Sequence, residues 1–210
     1  MISDEELISR EKVNEGFVKT PRPCPSGHMS IGYGHNLEGG SMGVSATNNF
    51  LGKDINNGVN EADATKLLKY DLDVVKNAIT KDERLGPLFQ KLDDERQYVL
   101  LDLCFNMGTK KVKEFNKMLT ALENGDYERA SKELLDSRYA KQTGNRARKN
   151  AECLQIGEYP DHAPSRSSIK QQTKQDAQNS KGYEEKKIQQ VREVSIPAEI
   201  NTKTEDTCSP

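Results

Sequence analysis

Residues 14–35 read NEGFVKTPRPCPSGHMSIGYGH and carry three reactive side chains at short intervals: Glu15, Cys24 and Ser30. Eight residues separate Glu15 from Cys24, and five separate Cys24 from Ser30. A carboxyl group can donate a proton, a thiol can activate water, and a hydroxyl can orient that water. Their concentration in one segment indicates a hydrolytic site.

The segment before Glu15 has the pattern of a helix. Ser3-Asp-Glu-Glu6 is a capping box, in which the serine hydroxyl and the glutamate carboxylate bond to backbone N–H groups at the helix start. Gly16 is the residue type that most readily takes the conformation that ends a helix. We therefore expect Glu15 to lie on the last turn.

Prolines 21, 23 and 25 predict an irregular loop over Thr20–Gly27, because proline removes a backbone donor and restricts the chain. Met29-Ser-Ile-Gly-Tyr33 alternates in the way a short strand does. The three reactive side chains would therefore lie on a helix, a loop and a strand.

From Asn60 onward, apolar residues recur at helical spacing and predict one helix of about 20 residues, over about 60–81, that links two lobes. Further amphipathic stretches follow Pro87, at about 96–107, 111–123, 127–135 and 145–155. The predicted fold class is α+β, with a small N-terminal lobe that contains a β-sheet, a linking helix and a helical C-terminal lobe.

The composition changes after Pro160, which divides the chain into a domain of residues 1–160 and a polar extension of residues 161–210. Such a polar segment cannot bury enough surface to offset its ordering entropy, so the extension is expected to be disordered alone. Val194, Ile196, Ala198 and Ile200 alternate as a strand would. The alternative is therefore a partner-bound strand added to the edge of another protein's sheet.

Thirty-one basic and 33 acidic residues give a net charge of −2, which argues against a nucleic-acid partner. No apolar run approaches the roughly 18 residues of a membrane span, and the N-terminus lacks the features of a secretory signal. We therefore expect synthesis in a cytoplasm and no membrane span. Four widely spaced cysteines favour reduced thiols over a disulfide framework.

Five motifs resemble, in order, the landmarks of the T-even phage lysozymes: Asn14-Glu15-Gly16-Phe17, Ile31-Gly-Tyr-Gly-His35, Leu51-Gly-Lys-Asp-Ile-Asn-Asn-Gly58, Phe105-Asn-Met-Gly108 and Gln142-Thr-Gly-Asn-Arg146. The resemblance covers roughly residues 1–159 and implies a lysozyme-like α+β fold with substrate between the lobes. It also implies a muramidase, which cuts the β-1,4 bond between N-acetylmuramic acid and N-acetylglucosamine in bacterial peptidoglycan. No cofactor and no metal are expected.

The resemblance implies a role for each reactive residue. Glu15 would be the acid that protonates the leaving oxygen, and Arg146 would lie close to it. Most members carry Asp where this chain has Cys24, so the thiol would either polarise the attacking water, with inversion, or attack the sugar carbon itself, with retention. Ser30 keeps a hydroxyl where the family usually has Thr.

Other matched positions carry supporting roles. His35 and Asp71 resemble a structural ion pair that joins the strand to the long helix. Phe105 matches a substrate-contacting aromatic, although an aromatic at helical spacing is almost as often a core residue. Three matched sugar-contact positions differ from the family, so its subsite preferences are not transferred: Asn36, Met118 and Glu133.

Two other classes of protein remain open. A zinc-dependent wall hydrolase would use Cys24, His28 and His35, but their spacing fits no common zinc pattern. A catalytically weak or inactive lysozyme fold could serve as a structural module of a phage virion. An active enzyme would wait in the host cytoplasm for release by a holin, or would travel on the virion, bound to a virion protein through residues 161–210.

Overall fold

The computed structural model describes residues 2–24, 27–38 and 42–160. Within these ranges the molecule is mostly helical with a small antiparallel sheet near the N-terminus, which confirms the predicted α+β class. The polar extension and its alternating segment at 194–200 lie outside the described residues. No helix in the described ranges combines the length and apolar character that crossing a membrane requires.

The first helix, α1, spans Asp4–Glu15. The hydroxyl of Ser3 accepts the backbone N–H of Glu6 at 3.2 Å, as expected of one half of a capping box. The carboxylate of Glu6 accepts a hydrogen bond from Arg10 at 2.5 Å. Gly16 ends the helix with a φ of 69°, and its N–H donates to the carbonyl of Lys12, so Glu15 is the last helical residue.

Three short strands form the sheet in the order β1-β2-β3: β1 is Val18–Pro23, β2 is Met29–Gly32 and β3 is His35–Asn36. The prediction of a loop from Thr20 is wrong, because residues 20–23 belong to β1. β1 is the edge strand of the sheet. A proline there whose missing N–H would point away from β2 removes no hydrogen bond from the sheet. Its pairing with β2 is irregular between Val18 and Arg22, the interval that contains Pro21.

The sheet leads through α2, Val44–Leu51, and a 3-10 turn, Ile55–Asn57, into the long helix α3, Glu61–Lys81. The sequence patterns did not predict α2. A complete capping box starts α3, in which Asn60 and Asp63 each accept the other's backbone N–H. The apolar positions that predicted this helix are buried, except that Val75 is half-buried and faces a groove.

The second lobe consists of seven helices in the described residues: α4 Leu85–Lys91, α5 Asp94–Met107, α6 Thr109–Lys113, α7 Asn116–Glu123, α8 Tyr127–Leu135, α9 Arg138–Thr143 and α10 Asn145–Ile156. The helix predicted over 111–123 is two helices, because the chain leaves helical geometry at Phe115, whose ring packs against the core. The short α9 was not predicted.

Although α1 comes first in the chain, it packs against this helical lobe. Arg10 donates to Glu95 of α5 at 2.7 Å, and this pair is buried. Asn14 donates to the hydroxyl of Tyr98, also on α5, at 3.1 Å. These contacts hold the end of α1, and Glu15 with it, beside the sheet.

Candidate active site

An open groove of about 920 Å³ brings Glu15, Cys24 and Ser30 together on one surface. Residues from the sheet region, the long helix and the helical lobe complete its lining: His28, Gly34, Asn36, Asp71, Val74, Val75, Phe105, Asn106, Gln142 and Thr143. A further recess of about 480 Å³ continues from Glu15 and Cys24 along β1 past Arg22. A groove with these dimensions is large enough for an extended ligand.

The carboxyl group of Glu15 lies at the end of α1 with its side chain 19% exposed. It packs against the turn that joins β2 to β3, where Gly34 has a φ of 83°. A Cβ atom at Gly34 would lie 3.1 Å from Oε2 of Glu15. The second glycine of the Ile31-Gly-Tyr-Gly-His35 motif therefore leaves room for the carboxyl group.

Arg146 holds Glu15 from the other side. Its Nη1 donates to Oε1 of Glu15 at 2.7 Å, as the sequence led us to expect. The same guanidinium donates to Glu11 of α1 at 3.0 Å and to Asp102 of α5 at 2.6 Å, and both of these carboxylates are fully buried. Burial, and then the Asp102 carboxylate, hold the pKa of Glu11 well above its usual value.

Cys24 and Ser30 face Glu15 from the β1–β2 hairpin. The backbone N–H of Cys24 donates to the carbonyl of His28 at 2.8 Å, which holds the main chain that carries this half-buried residue. The hydroxyl of Ser30 lies 3.5 Å from the carbonyl of Arg22, a distance at which a hydrogen bond is weak. A water molecule in the groove could therefore bond to this hydroxyl.

A family model of phage lysozymes matches residues 12–152. The chain belongs to the phage lysozyme family. This confirms the resemblance drawn from the five motifs.

The chain is similar to three named proteins, among others. The pre-baseplate central spike protein Gp5 of Enterobacteria phage T4 is 39% identical over 85 residues, which are 40% of this chain and 15% of that protein. Two probable T4-type lysozymes of Dictyostelium discoideum are 25% and 26% identical over 99 residues, which are 47% of this chain and 58% of each relative. The match thus spans less than two thirds of each of these relatives.

His35 is buried and joins three elements. Its Nδ1 lies 2.8 Å from Asp71 of α3, and its Nε2 lies 3.1 Å from the hydroxyl of Thr47 on α2. The contact between His35 and Asp71 that the resemblance implies is therefore present in the structure. Because both ring nitrogens have protein partners, His35 has no lone pair directed at a metal, which argues against a zinc site with Cys24 and His28.

Only some of the predicted sugar-contact positions line the groove. Phe105 is half-buried, lines the groove and also packs against the core, so both readings of this aromatic have structural support. Asn36 lines the groove. Met118 is 1% exposed and belongs to the core, whereas Glu133 pairs with Arg129 on the same helix.

Sequence reasoning missed several residues at this site. Asn106, Gln142 and Thr143 line the groove, and each lies inside a motif that had been assigned to the family without roles for these positions. Glu11 and Asp102 carried no local signal. Asp102 is 44 residues from Arg146 in the sequence, and only the packing of α5 against α10 brings them together.

Proposed function

We propose that this chain is a muramidase that hydrolyses the β-1,4 bond between N-acetylmuramic acid and N-acetylglucosamine in bacterial peptidoglycan. One observation carries the proposal: the groove of a phage lysozyme family member places Glu15, Cys24 and Ser30 on one surface. Hydrolysis needs an acid at the leaving oxygen and water at the sugar carbon, through a transition state that resembles an oxocarbenium ion. These three side chains supply the required groups.

Glu15 is assigned the role of the acid. Its carboxyl group reaches the groove while Arg146 fixes its orientation through a 2.7 Å hydrogen bond. The protonated carboxyl gives its hydrogen to the glycosidic oxygen as the bond to the sugar carbon breaks. Phe105 and Asn106, which also line the groove, are assigned to the sugar rings.

Cys24 and Ser30 are assigned to the attacking water. In this mechanism Ser30 orients the water, Cys24 polarises it, and the configuration at the sugar carbon is inverted. The competing mechanism has the Cys24 thiolate attack the sugar carbon and form a covalent intermediate, which water then cleaves with overall retention.

The test of the function measures reducing ends released from purified peptidoglycan. We expect release by the parent, and loss of at least about 100-fold in Glu15→Gln, because removal of a general acid typically costs that much. Glu152→Gln is the matched control, because Glu152 is exposed on α10 and lies outside the groove lining. Equal release by the parent and Glu15→Gln would reject the assignment of the acid.

A second experiment separates the two roles of Cys24. Cys24→Ala should lower the rate, and Cys24→Asp should restore it, because a carboxylate can polarise water in the same place. The configuration of the first product, read by NMR before the sugar equilibrates, distinguishes inversion from retention. Retention together with a glycosyl adduct on Cys24 would replace water activation by the covalent mechanism.

The second candidate function is that of a virion module, active or inactive. The similarity to a spike protein of phage T4, 39% identical over 85 residues, favours this candidate. We infer that the chain would then bind a virion protein, with residues 161–210 as the segment assigned to that contact. Mass spectrometry of purified particles of the encoding phage should detect the chain, and its absence from them would leave a role in host lysis.

A further inference from the structure

Two buried carboxylates behind the groove have no role in the proposed chemistry. Glu11 and Asp102 are both fully buried, and each contacts the guanidinium that also holds Glu15. The single positive charge of Arg146 therefore contacts three carboxyl groups, those of Glu11, Glu15 and Asp102. Burying a charge without an opposite charge nearby costs free energy. The surroundings of each carboxyl group therefore decide whether that group is ionised.

Asp102 is surrounded by donors, as a carboxylate requires. Besides Arg146, the side-chain amide of Asn150 donates to it at 2.5 Å, and that of Asn14 donates at 3.3 Å. Hydrogen bonds from several donors favour the charged form of a carboxyl group. Asp102 is therefore the anion of this cluster and the counter-charge of Arg146.

Glu11 lies in a different environment. Arg146 donates to its Oε2, but among the described residues no hydrogen-bond partner reaches its Oε1. The charged form of Glu11 thus has little support, in line with the raised pKa caused by burial and by Asp102. A neutral Glu11 leaves Asp102 and Arg146 as a balanced pair.

The pairing of the Arg146 charge with the Asp102 charge affects whether Glu15 keeps its proton. A guanidinium without a counter-charge, 2.7 Å from a carboxyl group, would favour the carboxylate and so remove the proton that an acid must donate. We propose that Asp102 is a positioning residue that holds Arg146 against Glu15 and offsets its charge, so that Arg146 orients the proposed acid without drawing off its proton. This inference rests on the proposed muramidase function.

The groups that face Glu15 come from several elements. Charged or titratable side chains reach it, or share its groove and the adjoining recess, from α1, the β1–β2 hairpin, α3, α5 and α10: Glu11, Arg22, Cys24, His28, Asp71, Asp102 and Arg146. Asp71 is already paired with His35. Within this set, Asp102 and Arg146 are the pair of opposite charges closest to the Glu15 carboxyl in the hydrogen-bond network.

The experiment measures the pH dependence of peptidoglycan hydrolysis in the full chain. The rate should fall on the alkaline side as the acid loses its proton. In Asp102→Asn this limb should move to lower pH by about one unit, which is a roughly tenfold lower rate at a fixed pH on the limb. In Arg146→Gln it should move to higher pH, and in the double variant it should return towards the parent.

Glu11→Gln is the matched control within the same cluster. Because Glu11 is assigned as neutral, this substitution should leave the position of the alkaline limb unchanged. An equal downward shift in Glu11→Gln would overturn the assignment of the counter-charge to Asp102.

A second readout needs no activity. The difference in unfolding free energy between each variant and its Glu15→Gln derivative, followed across pH, reports where Glu15 loses its proton. If Asp102→Asn folds and leaves both readouts unchanged, in the parent and also in Glu11→Gln, where Glu11 cannot ionise in place of Asp102, the inference is overturned. If Asp102→Asn does not fold, the variant that carries both Asp102→Asn and Arg146→Gln replaces it, because this variant leaves no buried charge without a partner. It is compared with Arg146→Gln alone, and equal midpoints for the loss of the Glu15 proton would overturn the inference. If the midpoint for the loss of the Glu15 proton shifts but the protein releases no reducing ends, the muramidase function is rejected and the role of Asp102 is retained.

Discussion

At the scale of single residues, the position of Glu15 depends on two neighbours that come from distant parts of the chain. Arg146 fixes one carboxyl oxygen at 2.7 Å, and the bare backbone of Gly34 accommodates the other. The acid that we propose must be held within a fraction of an ångström of its target, so we expect both neighbours to affect the rate.

Gly34→Ala should therefore damage the site beyond its effect on stability. The positive φ of 83° should cost about 1–2 kcal/mol of unfolding free energy, and the new methyl group should displace Glu15 and lower the rate about tenfold. Gly125→Ala is the control, because Gly125 has a φ of 73° but no atom within 4 Å of its added Cβ. Equal hydrolysis rates in these two variants, measured with equal folded fractions, would contradict the steric role of Gly34.

At the scale of elements, the start of α3 is fixed by a capping box and an ion pair. The side chain of Asn60 accepts the backbone N–H of Asp63 at 2.8 Å. Asp63 in turn accepts a hydrogen bond from Lys53 at 2.5 Å, and this bond holds the pKa of Asp63 below its usual value. The long helix is thereby attached to the chain that leaves α2.

The stability that the Lys53–Asp63 ion pair contributes should depend on pH, whereas the stability from the Asn60 cap should not. Because the pKa of Asp63 is lower in the folded state, its carboxylate adds stability above about pH 4, and this stability is lost as the pH falls through the folded value. Asp63→Asn should therefore destabilise the protein at pH 7 and do so less at pH 3, in chemical denaturation. Asn60→Ala should cost about 1 kcal/mol at both pH values. A pH-independent loss in Asp63→Asn would contradict the lowered pKa.

At the scale of the whole domain, His35 connects the sheet to two helices. It bonds to Asp71 of α3 and to Thr47 of α2, while Thr47 donates to the carbonyl of Gly43. Since Asp71 also lines the groove, this connection sets the position of the sheet wall relative to α3. The groove is thus held open by a buried polar contact as well as by apolar packing.

His35→Asn should lower the unfolding free energy by roughly 2 kcal/mol, because it removes a buried hydrogen bond to a carboxylate. His28→Asn is the matched control, because His28 is 58% exposed and its contact with Glu38 at 3.3 Å should contribute less than about 1 kcal/mol. Thermal unfolding of both variants at neutral pH gives the comparison. A similar loss in the two variants would show that His35 does not join these elements.

Much of the fold follows from local patterns in the sequence. The helical spacing of apolar residues predicts α3, α5, α8 and α10, because one face of each helix must be buried. Caps of Ser, Asn and Gly fix several helix ends. The short helices α2, α4 and α9 and the break between α6 and α7 were missed, because brief helices are stabilised by neighbouring elements more than by their own residues.

The chain by itself determined the family and the fold class, because motifs and periodicity are local properties of a sequence, and it predicted which residues are reactive. Only the tertiary structure decided that two prolines could belong to β1, since this depends on a place at the sheet edge. It also decided that Glu11, Asp102 and Arg146 form one cluster, with Glu11 135 residues from Arg146. Charges so far apart in sequence meet only when helices pack, and their energies depend on the burial that this packing creates.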